Sequence, residues 1–145
     1  MEFEINWLAL VAAAFSTIFI GFFWYGPLFG KAWMRETGIT EEQAKKSNMI
    51  LLLGLSVVFG FFIAIQLWGL VFTGGAPGHE HGLDPYVTFK HGAFHGALLA
   101  LFVVLPVLGT IALYEQKSWR YVAINVGYWL VTFSVMGGII NAWPA

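Results

Sequence analysis

The chain contains no cysteine. Disulfides, thiolate metal sites and a cysteine nucleophile are therefore excluded, and the redox state of its compartment is left open. Charge is scarce as well. Only 10% of the 145 residues are charged, against roughly 25% in an average soluble domain. Too few charges remain to coat a surface for water, and 59% of the residues are hydrophobic. Lipid is therefore the expected solvent. The net charge of −1 offers no electrostatic footprint for nucleic acid. The stretch "GGAPGHEHG" is rich in glycine but opens no helix with a dinucleotide or phosphate fingerprint. Ser56, in "GLSVV", lacks the second glycine of a nucleophile elbow, which argues against an intramembrane serine protease. No Asp or Glu lies deep within an apolar run. A proton relay or cation pathway usually leaves such a carboxylate, so proton-coupled transport is disfavoured.

What is present is hydrophobic length. A bilayer span needs about 20 mainly apolar residues, and four segments qualify: 5–24, 48–72, 90–114 and 119–143. The expected fold is an all-α integral membrane protein, a four-transmembrane-helix bundle forming a single domain over residues 1–145. The first segment is preceded by Glu2 and Glu4 and by no Lys or Arg. The basic region of a signal peptide is thus missing, and the segment reads as a retained helix. Lys31, Arg35, Lys45 and Lys46 fall between spans one and two, Lys117 and Arg120 around the turn between spans three and four, and only Lys90 on the other side. This asymmetry predicts cytoplasmic loops at both cation-rich positions. Both termini would lie outside, in the periplasm if the host is a bacterium and the membrane its inner one.

The first apolar run stops at "FFWYGPLFGKAWM". Trp24, Tyr25 and Trp33 are residue types that favour a membrane interface. Gly26-Pro27 is expected to end the helix, because proline has no amide hydrogen and disfavours a helical residue before it. Phe29 with Trp33, and Lys31 with Arg35, are each four apart, which suits a short helix lying in the headgroup plane. Thr40 and Gln43 form a capping-box pattern opening a polar helix that runs through Lys46. An interfacial anchor followed by a turn accounts for every residue type here; binding by Tyr25 or Lys31 is the alternative.

"WYGPLFGKAWM", the "GIT" and "NMI" that follow, and the C-terminal "INVGYWL" and "MGGIINAW" resemble the bacterial domain-of-unknown-function 1761 family over nearly the whole chain. The resemblance implies a small integral membrane protein of about four helices. It implies no activity, substrate or site. The stretch "HEHGLDPY" has no counterpart in that pattern.

Membrane helices associate through small residues and a few hydrogen bonds. Gly92, Gly96 and Ala100 form a small-residue ladder in span three, and span two offers Ser56 and Gly60. In span four, Asn125, Tyr128 and Thr132 share one face, while Ser134, Gly138 and Asn141 share the opposite one. Two such faces imply two sets of neighbours, and the second is expected to come from another subunit, giving a homo-oligomer. Pro106 is expected to kink span three and free a carbonyl near mid-membrane. Sorted by depth, Asn6, Gln66, His91, His95 and Asn141 lie near the outer surface. Tyr25, Asn48, Tyr114, Asn125 and Tyr128 lie near the inner one.

All four histidines fall between residues 79 and 95. His91 and His95 are four apart and share a helical face. His79 and His81 flank Glu80 in a loop that also holds Asp84. Imidazole and carboxylate suit zinc, copper or nickel. Two helix ligands with one or two from the loop would close a tetrahedral site, although the spacing is not that of a known zinc motif. The plainer reading leaves His79 and His81 solvated and His91 and His95 bonded to neighbouring helices. Metal ligation is assigned to His91 and His95, and ligand binding to Gln66, His91, His95, Asn125, Tyr128 and Asn141; no residue is assigned a catalytic role. Three functions stay open. The first is an oligomer that binds or passes a small molecule through its polar interior. The second is a structural or accessory subunit of a larger membrane complex. The third is a metal-dependent membrane enzyme using the outer histidines.

Overall fold

The computed structural model describes residues 4–73, 75, 76 and 78–145. Helix α1, Trp7–Phe23, is opened by Asn6, whose side chain accepts the Ala9 amide at 3.1 Å. It passes into a wider turn, Trp24–Leu28, where the Phe29 amide reaches five residues back to the Trp24 carbonyl at 2.8 Å. Gly26 leaves helical geometry there (φ −105°, ψ −106°). The helix thus kinks at Gly26-Pro27 instead of stopping, because a widened turn tolerates the missing proline amide. The first span consequently runs to Leu28, beyond the expected end at Trp24. Helix α2, Gly30–Thr37, closes on Gly38 at φ 74°. Helix α3, Glu41–Lys46, carries the reciprocal Thr40–Gln43 capping box.

Helix α4, Met49–Thr73, starts at Asn48, whose side chain accepts the Leu51 amide at 3.0 Å. Two short strands, β1 (Gly75–Ala76) and β2 (His79–Glu80), pair antiparallel. Helix α5, Phe89–Leu99, is capped by Thr88 and followed by a second widened turn, Ala100–Val104, and by α6, Leu105–Tyr114. That turn ends two residues before Pro106. It opens the backbone where the proline ring would otherwise press on the preceding turn. Helix α7, Trp119–Ala142, is capped by Ser118.

Among the described residues, four helical spans are long and apolar enough to cross a membrane: Trp7–Leu28, Met49–Thr73, Phe89–Tyr114 and Trp119–Ala142. They run alternately up and down. The start of α1 and the end of α7 therefore share one end with the loop between α4 and α5, and Asn6 donates to the Trp143 and Pro144 carbonyls at 3.2 Å each. This end is termed the histidine end, and the other the cation end.

The least apolar span, α7, is the most buried, and α4 and α5–α6 are the most exposed. That ordering is expected in lipid, where apolar side chains gain nothing by moving inward and polar ones do. Helix α7 packs against α5, α1 and α4. Leu10 and Ala13 of α1, Ala64, Leu67 and Val71 of α4, and Met136 and Ile140 of α7 form the main core. The α5–α7 contact is backbone to backbone. A Cβ on Gly92 would collide with the Gly137 carbonyl, and one on Gly96 with the Phe133 carbonyl.

Both faces of α7 are thus covered within one chain. Tyr128 faces α1 through Thr17, and Gly138 faces the Phe89 ring of α5. The second set of neighbours that suggested another subunit is α5 itself. The two faces of α7 therefore do not by themselves call for another subunit, because sequence periodicity shows how many faces a helix has, not whose helices cover them.

Candidate metal centre

Helix α5 repeats the dipeptide His-Gly at 91–92 and 95–96. One helical turn separates the pairs, so the two glycines share one face and the two histidines the face beside it. The glycine face meets α7. The histidine face meets the incoming loop, whose chain turns at Gly78 (φ 82°) and Gly82 (φ 79°) on either side of His79–His81.

His81 completes a triangle with the α5 pair. Ring centroids lie 4.8 Å apart for His81–His91, 4.5 Å for His81–His95 and 4.5 Å for His91–His95. One ring nitrogen from each of the three lies within 4.8 Å of the others. Zn–N bonds of about 2.0–2.1 Å place tetrahedral ligand nitrogens roughly 3.3 Å apart, so a modest inward turn of the rings closes the set.

Two further observations bear on metal fit. His81 Nδ1 lies 3.1 Å from the Leu70 carbonyl. A carbonyl only accepts, so in the neutral ring Nδ1 carries the proton and Nε2 presents its lone pair. Leu70 is in the last turn of α4, where helix carbonyls lack partners of their own. A metal-ligating histidine typically makes this kind of outer hydrogen bond. His91 Nε2, in turn, is buried with no hydrogen-bond partner among the described residues. The donors are three imidazoles with no carboxylate in the group, a set that suits zinc, copper or nickel over magnesium or calcium.

His79 is engaged elsewhere, its Nδ1 lying 2.7 Å from the Tyr86 hydroxyl. The Tyr86 ring stands 5.2 Å from that of His91 and closes one side of the cluster. The loop is tied down by Asn141, which donates to the Tyr86 and Thr88 carbonyls at 2.7 and 2.8 Å. Glu80 is fully exposed and accepts the Gly78 amide at 2.9 Å, which holds its carboxyl below the usual carboxylate range.

The other proposed ligand-binding residues do not join this cluster. Gln66 is exposed on α4. Asn125 and Tyr128 lie at the cation end, where they bind the first span. Tyr25 donates to Asn125 Oδ1 at 2.8 Å, Tyr128 to the Thr17 carbonyl at 3.0 Å, and Trp24 Nε1 to the Ile124 carbonyl at 2.9 Å. The aromatic stretch at residues 24–25 is therefore a lock between α1 and α7, which composition alone read as an interfacial anchor. Nearby, Glu36 accepts from the Ser118 hydroxyl and sits 3.6 Å from Arg120. A groove of about 470 Å³ opens beside Trp24, Phe29, Arg120 and Gly127, and none of Gln66, Asn125, Tyr128 or Asn141 lines it.

His81 is the member of the cluster that sequence reasoning left undistinguished from His79. The signal that separates them is the α4 carbonyl that His81 reaches, which depends on the loop's path. Neither a curated protein nor a solved structure matches the chain. The family model described as "Protein of unknown function (DUF1761)" matches residues 8–141, and the chain belongs to that family.

Proposed function

We propose that this integral membrane protein binds a divalent transition metal on His81, His91 and His95. The observation that carries the reading is the convergence of these three rings, with a lone pair oriented on His81 and a buried nitrogen on His91 that has no hydrogen-bond partner among the described residues. The two alternatives rest on less. Passage of a small molecule needs free polar groups along a path, whereas Asn125, Tyr128 and Asn141 are already bonded to neighbouring elements. An accessory subunit needs an uncovered small-residue face, and the glycine faces of α5 and α7 meet each other within the chain. On the cation asymmetry, the reading places the metal at the outer face of a bacterial inner membrane.

The test uses the full chain with a histidine-free tag in a mild neutral detergent. After chelation and resupply of zinc, one equivalent is expected to remain bound. His81→Gln, His91→Gln and His95→Gln should each weaken binding roughly 10-fold or more, and His79→Gln should not. Each ligating ring must be neutral, so affinity should fall as the pH is lowered. Absence of stoichiometric zinc in the wild type, or equal loss in the His79 variant, overturns the reading.

A further inference from the structure

Three imidazoles are neutral, so a divalent ion held by them keeps its full charge. The group contains no carboxylate, and all three residues are partly buried. A charge withdrawn from water is costly unless compensated, and three ligands leave a tetrahedral ion one open position. Local electrostatics offers that position to an anion. His91 and His95 occupy the first two turns of α5, the end of a helix where the peptide dipole is positive and negative charge is favoured. Lys90 lies beside them in sequence. Glu80, next to His81 in sequence, points its carboxylate at the Gly78 amide instead.

We infer that the metal at His81, His91 and His95 takes a small external anion, such as hydroxide, a carboxylate or a halide, as its fourth ligand. This rests on the tri-histidine reading above and assigns the class of ligand that the site exchanges. The metal supplies the anion's bond, and the chain supplies the three nitrogens and the positive end of α5. Glu80 is the internal competitor for the same position.

Cobalt(II) reports both levels separately, because its visible absorption depends on coordination. The full chain, with a histidine-free tag in neutral detergent, is titrated with cobalt(II) and then with azide. The expected result is one equivalent of cobalt with a tetrahedral spectrum, followed by a saturable spectral change with azide. The azide response should persist in Glu80→Gln. A cobalt spectrum that azide leaves unchanged in both proteins overturns the anion inference and leaves the metal site standing. A response that appears only in Glu80→Gln also overturns it and assigns the fourth position to Glu80. Failure of the wild type to bind cobalt removes the metal site and this inference together.

Discussion

Asn141 separates a hydrogen-bond strut from a ligand-binding group. It is fully buried, and its amide nitrogen donates to two loop carbonyls, those of Tyr86 and Thr88. Its amide oxygen has no partner among the described residues. Both carbonyls keep a second partner if Asn141 is removed: the Thr88 amide for Tyr86 at 2.8 Å and the Gly92 amide for Thr88 at 3.2 Å. Asn141→Ala therefore loses two membrane-type hydrogen bonds, about 0.6 kcal/mol each. It also opens a space of roughly 30 Å³, worth about 0.7 kcal/mol. Removing the unpartnered oxygen offsets about 1 kcal/mol of this. The net loss is about 1 kcal/mol.

Asn141→Asp keeps the shape but sets a carboxylate against two carbonyl oxygens, or, once protonated, supplies one donor where two are needed. Its cost should be about 3 kcal/mol or more. The isosteric variant is thus expected to be the worse of the two. Unfolding by sodium dodecyl sulfate in mixed micelles, followed by tryptophan fluorescence, measures the order. If the alanine loss falls wholly on the loop that carries His81, zinc affinity should drop about 5-fold. An aspartate variant as stable as the alanine one refutes the strut, and unchanged zinc affinity in the alanine variant refutes its link to the metal site.

The α5–α7 contact predicts that Gly96→Leu disrupts the bundle, since the side chain would enter the Phe133 carbonyl; loss of monodisperse protein in detergent is expected, while Gly109→Leu, with open space around it, should be tolerated. The cation distribution predicts that a C-terminal reporter is active only outside the cytoplasm, and activity of a cytoplasmic reporter there would reverse the orientation and the assignment of the histidines to the outer face.

Hydrophobic length, the capping box at Thr40, and the shared face of His91 and His95 were legible in the sequence. Each depends on spacing along one chain segment: a span is about 20 apolar residues, a capping box is four residues, and a helical face is a period. The resemblance carried by the 24–34 and 124–143 motifs pointed to the same family that the full-length match identifies. What those motifs do was decided by packing. Trp24 and Tyr25 have interfacial composition, yet their polar atoms meet Ile124 and Asn125, a hundred residues away.

The same limit governed the site. Nothing in the spacing of four histidines selects His81 over His79, because the choice rests on which imidazole reaches the Leu70 carbonyl at the end of α4. Nor does it show that Asn141 is occupied by loop carbonyls, or that α5 covers the second face of α7. Local periodicity determines which residues point the same way. Only the tertiary structure decides what they point at, because a hydrogen bond or a metal site needs partners from segments whose separation in sequence carries no distance information.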